Sequence, residues 1–238
     1  MAIIGITGGA GTGKSFVAKL AAENFDMLHI DTDKLARTQM MPGGASYTGV
    51  AENFPDCLVR KRTAGDTEGK TDVNTADSAA EDGAESAQLP EIDRAALAMK
   101  VFNDKELLEK LNSLTHPHVR EAVEALIEAS AGVFDHVLIE TAILADAGYC
   151  PICDAVWFVS APAADRKKRL KDRGYDEERT ESVIASQPSD EKYRETSTYE
   201  IYNGEDADEE KIIGQIKAAL KELGTKDKKS DDGDEKIQ

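Results

Sequence analysis

Apolar and polar positions alternate along this chain in two distinct rhythms. Ala2-Ile3-Ile4-Gly5-Ile6-Thr7 is a short isoleucine-rich run, the pattern of a parallel strand buried on both faces. After a glycine-rich stretch, the apolar residues of 16–23 recur at helical spacing and predict a helix from 14 or 15 to about 24. Met27-Leu28-His29-Ile30 predicts a second strand, followed directly by Asp31-Thr32-Asp33. Met41-Pro42-Gly43-Gly44 is a turn, and a helix through Val50 to Phe54 follows it. Past Pro90 the helical rhythm returns. It predicts a capped helix over 92–102, another over 104–114 with Leu107, Leu108, Leu111 and Leu114 on its stripe, and a third over 115–129 with Pro117 in its first turn. Residues 134–140 predict a third strand ending in Glu140. Residues 155–159 predict a fourth, wholly apolar and so central, and 199–202 a weaker fifth. Asn203-Gly204 turns the chain into a last helix over 208–223, with Ile212, Ile213, Ile216 and Leu220 on one face.

The junction of the first strand and first helix carries the chemistry. Gly8, Gly13, Lys14 and Ser15 satisfy G-x-x-x-x-G-K-S/T, the phosphate-binding P-loop, in the strand–turn–helix context that motif requires. Gly8, Gly9, Gly11 and Gly13 permit torsions that a Cβ resists. The loop can then turn its N–H groups inward around a phosphate, at the positive end of the new helix. Lys14 adds a full charge for the β- and γ-phosphates, and the Ser15 hydroxyl is a ligand for Mg²⁺. These residues predict an α/β fold with a P-loop NTPase core that uses ATP and Mg²⁺.

Charged residues at strand ends extend the site. In a parallel sheet with helices on its faces, ligands bind beyond the C-terminal strand ends, which is where Asp31 and Asp33 fall. A helix cap explains one of these aspartates well and the pair less well. If Asp33 opens a helix, Arg37 lies one turn further along the same face. Glu140 is a candidate for a metal-water ligand or a substrate contact. Arg166, Arg169 and Arg173 share a helix face within the basic stretch 165–173. After the fourth strand of a P-loop core, that is the place for a phosphate-covering lid whose guanidiniums stabilise a phosphoryl group in transfer, Arg169 and Arg173 foremost. A solvated face is the alternative. His116 or His118 reads either as a substrate contact or as a capping or structural histidine.

Composition narrows the class. Lys and Arg number 29 against 46 Asp and Glu, a net charge of −17, which argues against a general nucleic-acid or anionic-membrane binder. No apolar run approaches bilayer length, and the first one lacks a basic lead and belongs to the P-loop strand, so neither a membrane span nor a signal peptide is expected. Three cysteines make no disulfide framework, which points to the cytoplasm. Cys150 and Cys153 form a C-x-x-C without a second pair and precede a strand, so they are read as inert loop thiols. Residues 63–88 hold seven acidic side chains against Lys70 alone and no aromatic. They read as a solvated, partly disordered insertion, with an acidic partner-binding loop as the alternative. The charged tail, 224–238, is expected to be disordered.

The order of these features resembles the dephospho-coenzyme A kinases. The resemblance is carried by IIGITGGAGTGKS, Asp31-Thr32-Asp33 with Leu35-Ala36-Arg37, Pro42-Gly43, and Asp93-Arg94 with Leu97. It continues through Val101-Phe102, His116-Pro117 with Val119-Arg120, Arg169 with Arg173, Gln187 and Asn203-Gly204, from residue 2 to about 220. It implies a five-stranded parallel core (1–40, 131–162 and 190–223), a helical substrate-binding insertion (41–130) and a lid (163–189). It implies transfer of phosphate from ATP to the ribose 3′-hydroxyl of dephospho-coenzyme A, the last step of coenzyme A synthesis. By position, Asp33 would be the base, with Lys14 and Arg169 at the transferred group. Nucleotide contacts would come from Gly8, Gly9, Gly11, Thr12, Gly13, Lys14, Ser15, Phe16, Arg173 and Asn203. Acceptor contacts would come from Asp31, Arg37, His116 and Glu140. Thr12 and Phe16 stand where the family usually has Ser and Thr, but both positions use mainly backbone toward phosphate. Ser197-Thr198 replaces the usual Ala-Asp, and Ala142-Ile143-Leu144-Ala145-Asp146 departs from the usual P-L-L-x-E. The expected state is a monomer or small homo-oligomer. Another small-metabolite kinase of nucleosides or sugars, or a nucleotide-dependent binding protein, remains the alternative.

Overall fold

A computed structural model of the chain describes residues 1–59, 89–102, 104–141, 144 and 148–231. The acidic insertion expected over 63–88, and Asp146, lie outside the described residues. In chain order the elements are β1 (Ala2–Thr7), α1 (Lys14–Asn24), β2 (Met27–Asp31), α2 (Thr32–Gln39), α3 (Tyr47–Asn53), β3 (Leu58–Val59), β4 (Glu91–Ile92), α4 (Arg94–Phe102) and α5 (Lys105–Ser130). They continue with β5 (His136–Glu140), β6 (Ala155–Ser160), α6 (Ala163–Asp172), α7 (Glu177–Ala185), α8 (Asp190–Glu195), β7 (Tyr199–Tyr202) and α9 (Glu209–Asp231). The described residues form two compact units, one from Met1–Leu35 and the chain after Arg120, the other from Ala36–Arg120.

The first unit is built on a five-stranded sheet in the order β2-β5-β1-β6-β7, and every pairing is parallel. β1 is the middle strand. β6, wholly buried, lies between it and β7. Burial on both faces explains why β6 and most of β1 read as continuous apolar runs. Register matters most for the site: Ile6 pairs with Glu140, and Asp31 pairs with the same glutamate. The C-terminal ends of β1, β5 and β2 therefore meet along one edge. α1 and α9 supply Val17, Ala18, Leu20, Ile212 and Ile216 to the core that also holds Ile4, Ile6, Trp157 and Ile201. Each such buried aliphatic contributes roughly 1.5–3 kcal/mol.

The second unit packs Val50, Phe54, Cys57, Leu97 and Val101 together, with Leu107, Leu111 and Leu114 against them. Three expectations change here and in α9. The helix expected from 92 starts at Arg94, because Ile92 pairs with Leu58 in a two-stranded antiparallel ladder. Asp93 caps the helix, its Oδ1 accepting from the amides of Ala95 at 2.9 Å and Ala96 at 3.0 Å, so the residue before it cannot be helical. The helices expected over 104–114 and 115–129 are one, with Pro117 in its interior. Proline removes one helical N–H there, but the apolar stripe continues through buried Val119 and Val123. Packing of that stripe outweighs the lost bond. The tail expected to be disordered from 224 is helical to Asp231. The sequence of this stretch holds no proline. Residues 232–238 of that tail lie outside the described residues.

Candidate active site

The loop between β1 and α1 bends through three glycines with positive φ: 146° at Gly8, 77° at Gly11 and 92° at Gly13. Gly9 has no such torsion, so the conformational argument made for it from sequence does not apply. Its requirement is spatial, since a Cβ there would run into the Arg166 guanidinium. A Cβ on Gly11 would sit 2.6 Å from the Arg166 carbonyl oxygen. A Cβ on Gly13 would collide with the Asn203 amide. The loop is thus backed closely by α6 and by the turn after β7. Thr12 folds inward and its hydroxyl donates to Gly9 O at 2.9 Å. Phe16 is exposed, and its amide donates to Gly13 O at 3.0 Å, which leaves its ring outside the loop.

Lys14 folds over this loop, its Nζ donating to Gly8 O at 2.7 Å and Gly9 O at 3.3 Å. Burial pushes its ammonium down to about 8, while the carboxylates of Glu140 and Asp33 act in the opposite direction. Asp33, exposed in the first turn of α2, is therefore within the electrostatic reach of the P-loop lysine. Asp31 takes the capping role. Its Oδ1 accepts from the Lys34 amide at 3.0 Å and its Oδ2 pairs with Lys34 Nζ at 3.1 Å. Burial raises the Asp31 carboxyl, but both Lys34 groups together outweigh it and hold it below the usual carboxylate range.

Glu140 ends β5 buried. Its Oε1 accepts from Ser15 Oγ at 2.5 Å, its Oε2 faces His29 Nε2 at 2.9 Å, and its main-chain oxygen accepts from Thr32 Oγ1 at 3.0 Å. Across the loop, α6 grips the backbone. Arg166 is buried. Its Nε donates to Ala10 O at 3.0 Å and its Nη1 pairs with Asp190 at 3.3 Å. The Ala10 amide donates to Gln187 Oε1 at 2.6 Å. Arg169 Nη1 donates to Gly11 O at 3.2 Å and Thr12 O at 3.1 Å, and its Nη2 donates to Asn203 O at 2.9 Å. Asn203 Nδ2 donates to Thr12 O at 2.7 Å. Arg173, exposed at the end of α6, adds to the positive field on Lys14. Arg37 and His116 belong to the second unit.

The family model for dephospho-CoA kinase matches residues 2–68 and 83–209. The chain belongs to the dephospho-CoA kinase family. It is 36% identical over 175 residues to the dephospho-CoA kinase of Moorella thermoacetica, covering 73% of this chain and 69% of the relative. It is 34% identical over 205 residues to that of Corynebacterium diphtheriae, covering 85% and 88%. The crystal structure of TT1252 from Thermus thermophilus matches with a TM-score of 0.68 at 27% identity, over 93% of this chain and 97% of that one. Dephospho-CoA kinase from Campylobacter jejuni shares the fold with a TM-score of 0.58 at 18% identity, over 94% and 98%.

As a member of a kinase family, the chain is a nucleotide-using phosphotransferase. Lys14 then gives a pH-dependent result. Only the ammonium form attracts phosphate, and near pH 8 half of it is lost in the free enzyme. Bound phosphate favours the charged form, so nucleotide binding draws in a proton. The expected outcome is that ATP affinity falls as pH rises from 7.5 through 9. Calorimetry at pH 8.5 in buffers of different ionisation enthalpy should show net proton uptake. No uptake there would place the Lys14 ammonium outside the binding equilibrium.

The sequence puts Arg169 and Arg173 ahead of Arg166, yet Arg166 is the buried arginine held against the loop. No sequence motif points to His29. His29 carries a polar ring within an apolar strand, two positions before Asp31 and so on the same strand face; that interruption was the available signal. The loop thiols hold no disulfide. Burial raises both, Cys153 to about 12, a range in which a thiol is a poor nucleophile. No described helix is long and apolar enough to cross a membrane.

Proposed function

We propose that this chain transfers the γ-phosphoryl group of ATP to the ribose 3′-hydroxyl of dephospho-coenzyme A, releasing ADP and coenzyme A. The observation that carries the proposal is the placement of Asp33 beside the phosphate loop, close enough to Lys14 to favour its charged form. A carboxylate so placed can accept the proton of an attacking hydroxyl as the new O–P bond forms and the bond to the ADP oxygen breaks. Lys14 exchanges its two carbonyl acceptors for phosphate oxygens. The loop amides hold the bridging and non-bridging oxygens. Arg173 brings an exposed guanidinium to the transferring charge, whereas Arg169 shapes the loop from behind. Arg37 and His116 are assigned to the acceptor.

The donor set also fits Mg²⁺. Ser15 Oγ and Glu140 Oε1 are hard oxygens side by side at the loop, and Mg²⁺ takes one or two protein oxygens with phosphate and water making up the rest. Among the described residues no three His, Cys, Asp or Glu side chains form a cage of their own, in keeping with that mode. Ser15 would be the direct ligand and Glu140 its partner. When bound, the ion supplies neutralisation of phosphate charge. Residues 163–189 act as the lid, excluding water so that ATP is hydrolysed slowly without acceptor. The free thiols suit the cytoplasm.

The test is a coupled ADP-release assay with dephospho-coenzyme A, with adenosine, and without acceptor. The expected result is stimulation by dephospho-coenzyme A alone, one ADP per coenzyme A formed. Equal stimulation by adenosine would indicate another small-metabolite kinase. ATP binding with no acceptor-stimulated release would indicate a nucleotide-dependent binding protein.

A further inference from the structure

Glu140 is nearly enclosed, its side chain 8% exposed, and His29 facing it is 19% exposed. An ionised carboxylate only accepts hydrogen bonds, and burying one demands donors for both oxygens. Ser15 supplies the donor for Oε1 at 2.5 Å and His29 the donor for Oε2 at 2.9 Å. The sheet dictates this meeting. β2 and β5 are paired so that Asp31 stands opposite Glu140 and His29 opposite Leu138, which brings the ring from the neighbouring strand to the carboxylate. Of the side chains that hydrogen-bond to Glu140 among the described residues, His29 alone is neither in the phosphate-loop motif nor in α2.

A serine hydroxyl has one proton and two lone pairs, so the acceptor that takes the proton decides where the lone pairs point. We propose that His29 is a positioning residue for the nucleotide's cation. By holding Oε2 it fixes the Glu140 carboxylate so that Oε1 keeps the Ser15 proton, and the Ser15 lone pairs face the cation. This inference rests on Ser15 being the Mg²⁺ ligand in the reading above. Without His29, Oε2 lacks its donor and the carboxylate is drawn toward the Lys14 ammonium, whose field it already shares. The Ser15 proton then loses its fixed acceptor. Partners that orient a ligand typically change metal affinity by about 10–100-fold, and a residue acting one step further out should reach the lower part of that range.

The test measures Mn²⁺ binding to the full chain with ADP by the electron paramagnetic resonance signal of free Mn²⁺, alongside ADP affinity in EDTA. His29→Val removes the donor and keeps a strand-forming residue; His29→Gln restores an amide donor at similar reach. The expected result is about tenfold weaker Mn²⁺ binding in His29→Val, ADP affinity in EDTA unchanged, and recovery of most of the loss in His29→Gln. Unchanged Mn²⁺ affinity in His29→Val overturns the inference. So does an equal loss of ADP affinity in EDTA, or a His29→Gln variant no better than His29→Val. If wild-type protein with ADP holds Mn²⁺ no better than ADP alone, the Ser15 assignment itself fails, a result separable from the behaviour of the variants.

Discussion

Asp33→Asn is expected to lower turnover by about 10²–10⁴-fold, the range typical of losing a positioned general base, with ATP affinity at pH 7 kept within about twofold. Asparagine preserves the size of the side chain and the first turn of α2, but it cannot take a proton from the acceptor hydroxyl. A second consequence follows from the same carboxylate. Asp33 is one of the two groups that favour the charged form of Lys14. Removing its charge lowers the Lys14 value further below about 8. The alkaline loss of ATP affinity in Asp33→Asn therefore begins at lower pH than in wild type. Rapid-quench measurement of phosphoryl transfer gives the first effect, and ATP titrations between pH 6.5 and 9 give the second. Normal turnover in this variant would remove Asp33 from the mechanism. An unmoved alkaline limb would show that its charge does not reach Lys14.

The central strands were legible because burial on both faces makes them read as apolar runs; β6, from Ala155 to Ser160, is the clearest case, whereas the two-residue strands β3 and β4 carry no such run. The phosphate loop was legible because its torsions demand glycine at fixed spacing. What sequence pattern misread was local competition. Ile92 looked helical by period, yet a two-residue ladder to Leu58 claimed it and Asp93 fixed the start of the helix. Pro117 looked like a helix start, yet the stripe through Val119 and Val123 carried the helix across it. The site was half legible. Its residue types were visible, but hydrogen-bond partners far apart in sequence were not. Nothing in the spacing of Arg166 and Ala10 announces that α6 lies against the loop, nor in that of His29 and Glu140 that parallel pairing of β2 with β5 brings them together. Asp31 and Asp33 were seen as a pair, and only the structure divides them into a helix cap and a carboxylate beside Lys14.

Arg169→Met separates two roles that a basic helix face leaves merged. A guanidinium reaching the transferring phosphoryl group acts on the transition state, so its loss lowers kcat with little effect on stability or ground-state ATP binding. A guanidinium tying the loop together acts on the fold and on binding. The geometry favours the second role for Arg169, whose Nη groups are already engaged by Gly11 O, Thr12 O and Asn203 O. Methionine keeps most of the stem but leaves Gly11 O and Asn203 O without this donor, while Thr12 O keeps the Asn203 amide. Hydrogen bonds to charged groups are worth about 1.5–3 kcal/mol each when buried. For a half-buried arginine, an overall loss of about 2–3 kcal/mol is the reasonable expectation, after discounting for solvent. Thermal unfolding of Arg169→Met should shift down by about 4–12 °C on that basis, with ATP affinity falling about tenfold or more as the loop loses its shape. Arg173→Met, at an exposed position, should leave the unfolding temperature unchanged and lower kcat by about 10²-fold or more. The opposite pattern, a stable Arg169→Met with intact ATP binding and lost turnover, would return Arg169 to the phosphoryl group and give Arg173 the lesser part. Arg169 lies within the last turn of α6 and Arg173 caps its end. The pair of variants therefore reads function against architecture at the C-terminal end of α6.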